Sequence, residues 1–286
     1  MTPSRVTIVE MSPRDGLQNE VRFVETADKI RLVDMLSDCG FERIEVTSFV
    51  SPKWVPQLAD AAAVMAGIKR RAGTRYAVLT PNMKGFEEAL AADAGEIAIF
   101  ASASETFSQR NINCSIAESI ERFRPVADAS REAGIPMRGY VSCVVECPYE
   151  GAVAPEAAAR VAAELRRLGC FEISLGDTIG RGRPEAVDRM LDSVLGEAPA
   201  SMLAGHFHDT SGRALENIDV SLERGLAVFD ASIGGLGGCP YAPGAKGNVD
   251  TLAVARHLQA KGIDTGLRLD ALENVARFAR GLRSDG

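Results

Sequence analysis

One pattern recurs along this chain and decides what it can fold into: an alanine-rich stretch, a glycine, then a short β-branched run. Cys39-Gly40-Phe41 leads into Ile44-Glu45-Val46-Thr47, and Ala72-Gly73 leads into residues 76–79. The same step follows Ala94-Gly95, Ala133-Gly134, Gly169 and Gly225. Each glycine sits where a helix C-cap wants a residue tolerant of positive φ. With residues 6–9 at the start and 202–205 before His206, the chain offers eight strand candidates. Helical patterns fill residues 27–39, 57–71, 116–133, 155–168, 184–195 and 214–224, with an extra C-terminal helix over 269–282. Ser115, with Glu118 three residues on, reads as a capping box, and Pro155 and Pro184 read as first helical positions. Strict β–α alternation implies a parallel sheet, and eight units imply an α/β fold: one (β/α)8 TIM barrel over residues 1–286. A doubly wound sheet is the competing arrangement, but the G-x-G-x-x-G turn expected after its first strand is missing.

Composition narrows the function. At 286 residues and 46% hydrophobic, the chain can bury a sizeable core. A net charge of −7 argues against a nucleic-acid partner, because neutralising phosphates takes a basic surface. The short run Lys69-Arg70-Arg71, expected at a helix end, does not change that. Six scattered cysteines suit a reducing compartment better than a disulfide scaffold. Cys143 and Cys147 form a C-x3-C pair with no second pair at zinc spacing. No apolar run approaches the length of a membrane span, and residues 1–5 run into a strand with no leader pattern. A cytoplasmic protein without a membrane partner is the expectation.

In such barrels the reactive side chains gather at the C-terminal ends of the strands. The seventh predicted strand ends in His206-Phe207-His208-Asp209. Positions i and i+2 of a strand share a face, so the two imidazoles converge, either as half of a divalent-metal site or as hydrogen-bonded interior histidines. Only three histidines occur in the chain, and two fall here. After the first strand come Arg14 and Asp15, on their own an ordinary surface ion pair. Beside two histidines, Asp15 completes a three-ligand set and Arg14 can stabilise an oxyanion. In the second strand Arg43, Glu45 and Thr47 alternate with Ile44 and Val46. The polar set should face the barrel interior, where Glu45 either pairs with Arg43 or takes part in the chemistry. Asp177 closes the sixth strand. The eighth is followed by a glycine-dense loop, residues 234–248, which carries Cys239. Phosphate binding competes with a catalytic thiol there, although no P-loop pattern is present.

Several of these motifs together resemble the 3-hydroxy-3-methylglutaryl-CoA lyase family. They are residues 11–20, 44–57, 111–115, 174–180, 206–210 and 234–248. Arg14-Asp15-Gly16 and the His-x-His pair are shared with a wider superfamily of metal-dependent aldolases and synthases. The loop Gly237-Gly238-Cys239-Pro240-Tyr241-Ala242 and the run Ser48-Phe49-Val50-Ser51-Pro52-Lys53-Trp54 are specific to the lyase. The resemblance implies a divalent cation, Mg2+ or Mn2+, on Asp15, His206, His208 and Asn248. It also implies Arg14 at the thioester carbonyl and Cys239 as the proton-carrying thiol, beside the catalytic or supporting role that the second-strand alternation already gives Glu45. The expected reaction is retro-Claisen cleavage of an acyl-CoA, with Asp15 as first choice of base and Gln18, Asn111, Ser142 and Asp177 meeting the substrate. A homodimer and a place in leucine degradation go with it. Two departures bear on the substrate: Leu252 stands where a glutamate is usual, and Glu146 where a glycine is usual. Either keeps a related 3-hydroxyacyl-CoA such as citramalyl-CoA as an alternative substrate, and the motifs shared with the wider superfamily keep a metal-dependent 2-keto acid aldolase or a Claisen synthase as alternative reactions.

Overall fold

The computed structural model describes residues 2–237 and 247–283. Its barrel strands are β1 (Thr7–Glu10), β2 (Arg43–Ser48), β3 (Arg75–Leu79), β4 (Glu96–Ser102), β5 (Met137–Ser142), β8 (Glu172–Asp177), β9 (Leu203–Phe207) and β10 (Val228–Ala231). Two-residue strands β6 (Glu146–Cys147) and β7 (Gly151–Ala152) form a small antiparallel hairpin after β5. The eight longer strands are parallel and close in the order β1, β10, β9, β8, β5, β4, β3, β2. Thr7 pairs with Val228 on one side of β1 and Val9 with Arg43 on the other, which seals the ring. The α/β barrel expected from the alternation is the fold observed.

Between the strands run α1 (Thr26–Ser37), α2 (Ala61–Gly67), α3 (Met83–Ala91), α4 (Glu105–Ile112), α5 (Ile116–Ala133), α6 (Pro155–Leu168), α7 (Pro184–Leu195), α8 (Ala214–Glu223), α9 (Thr251–Ala260) and α10 (Leu269–Arg280). The capping box at Ser115 and Glu118 is present, and α6 and α7 both begin on proline. Outward-facing Ile8, Ile44, Ile97, Ile173 and Leu175 share one buried cluster with helical Leu32, Leu36, Leu165 and Leu191. Each such side chain contributes on the order of 1.5–3 kcal/mol by leaving water.

Two expectations shift. The helix expected over 57–71 is cut to Ala61–Gly67, so Lys69-Arg70-Arg71 lies beyond it. Gly67 lies against α1, where a Cβ would stand 2.3 Å from Ile30 Cδ1, and Ile68 leaves the helix with ψ of 148°. In β2 the register slips between Glu45 and Thr47. A bulge moves every later side chain to the other face, and Ser48 rather than Thr47 lines the interior cavity.

Inside the barrel the strand starts carry buried charge. Arg43 Nη2 and Arg138 Nε both donate to Glu172 Oε1, each at 2.8 Å. Arg43 Nη1 also faces Glu96 Oε1 at 3.7 Å, and Arg75 Nη1 donates to Glu96 Oε2 at 3.1 Å. The partner of Arg43 is therefore Glu172, not Glu45, because Glu45 lies one layer higher and is claimed by Arg14.

Candidate active site

At the end of β1 the chain enters a single π-helical turn, Ser12–Gly16, which carries Arg14 and Asp15. Such turns are uncommon and gather at functional sites. Buried Glu10 pins this one. Its Oε1 accepts from the amides of Ser12 and Ile233 at 2.9 and 3.0 Å, and its Oε2 from the Thr251 hydroxyl at 2.8 Å. Burial pushes the Glu10 carboxyl up to about 7 despite these bonds. The Arg14 guanidinium is then held between two carboxylates, with Nε donating to Glu45 Oε2 and Nη1 to Asp15 Oδ1, each at 2.5 Å. Burial alone would lower the Arg14 pKa, but the charges of Glu45 and Asp15 outweigh it and keep the side chain cationic.

β9 supplies the histidines. The rings of His206 and His208 lie 5.4 Å apart, centre to centre, and one ligand atom from each falls within 4.8 Å of an Asp15 carboxylate oxygen. His206 Nε2 is 4.0 Å from Asp15 Oδ2, while its Nδ1 is 3.1 Å from Asp230 Oδ2 on β10. Burial pulls the His206 pKa down, but the Asp230 hydrogen bond and the charges of Asp230 and Asp15 carry it above its ordinary value. His208 goes the other way: burial, then the neighbouring His206, lower it to about 4. Its Nδ1 is buried with no hydrogen-bond partner. A neutral imidazole with no protein partner at that nitrogen, beside a carboxylate and a second imidazole, fits a divalent cation. Burial raises the Asp15 pKa, but Arg14, His206, His208 and the Asn248 hydrogen bond bring it down to about 2.

Asn248 arrives from the far side. It bridges to His208, and its Nδ2 donates to Asp15 Oδ2 at 2.7 Å. Gly237 makes this approach feasible: its φ is 98°, and a Cβ there would sit 2.6 Å from Asn248 Nδ2.

These groups open into a cavity of about 810 Å³. Arg14, Asp15, Gln18, Asn111, Ser142, His206 and His208 all line it, along with apolar Leu79, Phe100, Phe107 and Phe123. Asp177 does not. Its carboxylate accepts the Gly182 amide at 2.8 Å and the Arg181 amide at 3.3 Å, which shapes the loop after β8. Burial lifts that carboxyl to about 6. Cys239 lies outside the described residues. Cys143 and Cys147 are both buried, and among the described residues they belong to no metal-binding cluster.

Both departures have a local account. Glu146, on the β6–β7 hairpin, pairs with Arg181 at 3.1 Å and ties the hairpin to the loop after β8. Leu252 is buried in the main apolar cluster, where a leucine packs without a partner and a carboxylate would need one.

Sequence reading missed Tyr140, Arg138, Asp230, Ser48 and Ser174. Tyr140 donates to Glu45 Oε1 at 3.1 Å and accepts from Arg138 Nη1 at 3.0 Å. The signal existed: Arg138, Tyr140 and Ser142 alternate with Gly139 and Val141, as the polar set of β2 does with Ile44 and Val46.

Comparison with known proteins fits this geometry. The family model described as HMGL-like matches residues 5–279. A Pseudomonas aeruginosa protein named 3-hydroxy-3-isohexenylglutaryl-CoA/hydroxy-methylglutaryl-CoA lyase is 57% identical over 96% of this chain and 92% of its own length. The crystal structure of the HMG-CoA lyase from Brucella melitensis superposes with a TM-score of 0.97 at 66% identity, covering 98% of this chain and 99% of that one. The crystal structure of hydroxymethylglutaryl-CoA lyase from Pseudomonas aeruginosa gives 0.95 at 56% identity, over 97% and 92%. With its barrel, its Asp-His-His cluster and near end-to-end similarity to these lyases, the chain belongs to the HMGL-like family.

Proposed function

We propose that this chain cleaves 3-hydroxy-3-methylglutaryl-CoA into acetyl-CoA and acetoacetate, as a carbon–carbon lyase that depends on a divalent cation. The observation that carries the reading is the convergence of Asp15, His206 and His208 within 4.8 Å of one another, in a cavity shared with Arg14. Asp15, His206, His208 and Asn248 are the proposed ligands, and Mg2+ or Mn2+ the proposed ion. Asn248 would ligate through Oδ1, the other end of the amide that donates to Asp15. A cation bound there supplies Lewis acidity toward the substrate's tertiary hydroxyl and carboxylate.

The remaining work falls to the chain itself. Arg14, fixed between Glu45 and Asp15, presents a permanent positive charge to the thioester oxygen. It stabilises the enolate that forms as the C2–C3 bond breaks. Gln18, Asn111 and Ser142 line the cavity as hydrogen-bonding groups for the substrate. Cys239 is the proposed donor of the proton that converts the enolate to acetyl-CoA. The tertiary hydroxyl gives up its proton before C2–C3 breaks, and Asp15, held ionised with a pKa of about 2, is the proposed acceptor, directly or through a water. Glu45 is pushed up by burial, although it is paired with Arg14.

A second reading has its own support. Leu79, Phe100, Phe107 and Phe123 give the cavity apolar walls that can take a longer 3-alkyl branch. Purified protein with Mg2+ and HMG-CoA, assayed for acetoacetate and acetyl-CoA, tests the main proposal. Turnover of citramalyl-CoA or a longer-branched ester in its place would overturn the substrate and keep the chemistry. Aldol cleavage of a 2-keto acid alone would overturn both. A cytoplasmic homodimer acting in leucine degradation completes the proposal. The five free cysteines among the described residues suit a reducing compartment, and no described helix is long and apolar enough to cross a membrane. Light scattering and cell fractionation test those two points.

A further inference from the structure

The two histidines of the cluster are not held alike. Asp230 is buried, and each of its oxygens is engaged: Oδ1 accepts from Arg138 Nη2 at 2.7 Å, and Oδ2 accepts the Ser174 hydroxyl at 2.7 Å and faces His206 Nδ1 at 3.1 Å. Arg138 is fixed in turn. Its Nε donates to Glu172 at 2.8 Å and its Nη1 to Tyr140 at 3.0 Å, so the carboxylate has no freedom to rotate away. An ionised carboxylate only accepts, and His206 must therefore carry its proton on Nδ1. That leaves the Nε2 lone pair on the side of Asp15, 4.0 Å from Oδ2. On His208 the buried nitrogen without a protein partner is Nδ1, the atom that His206 instead commits to Asp230.

We propose that Asp230 is a positioning residue for the cation site: with Arg138 behind it, it fixes the tautomer and ring orientation of His206. The inference rests on the metal-dependent reading above and deepens it. It also joins the two halves of the site. Arg138 reaches Asp230 and His206 on one side, and on the other it reaches Tyr140, Glu45 and so Arg14.

Nitrogen-15 NMR of the imidazole rings in metal-free wild-type protein reads the tautomer directly. A His206 ring protonated on Nδ1 is expected, and one protonated only on Nε2 would overturn the proposal without any variant. In Asp230→Asn the amide can present N–H to the ring and release the tautomer. The expected result is a loss of the Nδ1–H preference and roughly 10–100-fold weaker Mn2+ binding by calorimetry. A folded Asp230→Asn protein with the wild-type tautomer and wild-type Mn2+ affinity also overturns it. His206→Ala separates the two claims. If that variant binds Mn2+ normally, the metal-ligand reading fails; if it loses Mn2+ while Asp230→Asn does not, only the positioning role fails.

Discussion

The barrel interior holds two polar layers that treat charge differently. In the lower one, at the strand starts, Arg43, Arg75, Arg138, Glu96 and Glu172 are set against one another, and even the two atoms there without a hydrogen bond, Arg43 Nη1 and Glu96 Oε1, face each other as opposite charges at 3.7 Å. In the upper one, buried His208 Nδ1 and Ser48 Oγ have no partner, and Asp15 shares its carboxylate among Arg14, Gln18 and Asn248. A buried polar group left without a protein partner is costly, so a fold keeps one where something else engages it. The lower layer offsets its own charges, whereas His208 and Ser48 of the upper layer line the cavity, where a bound group can engage them. Arg138 and Asp230 connect them.

Substitutions in the two layers should separate in kind. Arg14→Lys keeps the charge but loses the fork that meets Glu45 and Asp15. It should lower kcat by roughly 10²–10³ with little change in Mn2+ affinity, read by steady-state kinetics and calorimetry. Glu96→Ala in the lower layer should cost about 1–3 kcal/mol in urea denaturation, because Arg75 loses its hydrogen bond and Arg43 the second of its two facing carboxylates, while kcat stays within about twofold. A kcat loss like that of Arg14→Lys would break the division.

Glu10 gives a pH-dependent case. Its folded value of about 7 lies above its ordinary 4.5, so the folded state holds this proton more tightly. Below about pH 4.5 both states are protonated and the group is neutral to stability. As pH rises from there through 7, wild type should lose stability relative to Glu10→Gln, by on the order of 3 kcal/mol in total. Chemical denaturation at pH 4.5 and 8 checks this, and parallel curves for the two proteins would contradict it. The smallest effect is expected at the hairpin. The Glu146–Arg181 pair is largely exposed on the arginine side, so Glu146→Gly should change stability by less than about 1 kcal/mol. It should also leave the HMG-CoA to citramalyl-CoA rate ratio unchanged; a shifted ratio would move the specificity question to this departure.

Much of this was legible in the sequence for a physical reason. Strand-to-helix alternation and the spacing of His206 and His208 are local facts, and local geometry carried them into the structure. What local pattern does not carry is a partner distant in sequence. Alternation in β2 offers Arg43 only Glu45, two residues away, as a partner, whereas barrel closure brings it Glu172, 129 residues on. Asp230 was passed over because one aspartate in a short apolar strand gives no period, and its meaning comes only from β9 lying alongside. The slip that exchanged Thr47 for Ser48 is a register irregularity that alternation cannot show. The position of Asp177 at a strand end is legible in the sequence, but the two loop amides that its carboxylate accepts are not.

A titration of turnover with metal tests the Asp15–His206–His208 centre most directly. Metal-free protein mixed with HMG-CoA should release no acetoacetate until Mg2+ or Mn2+ is added. Activity should then rise to saturation with about one ion per chain, and His206→Ala should stay inactive across the same range. Acetoacetate formation that is indifferent to chelation, or that survives in His206→Ala at the wild-type rate, would contradict the assignment of Asp15, His206 and His208 as the centre of the reaction.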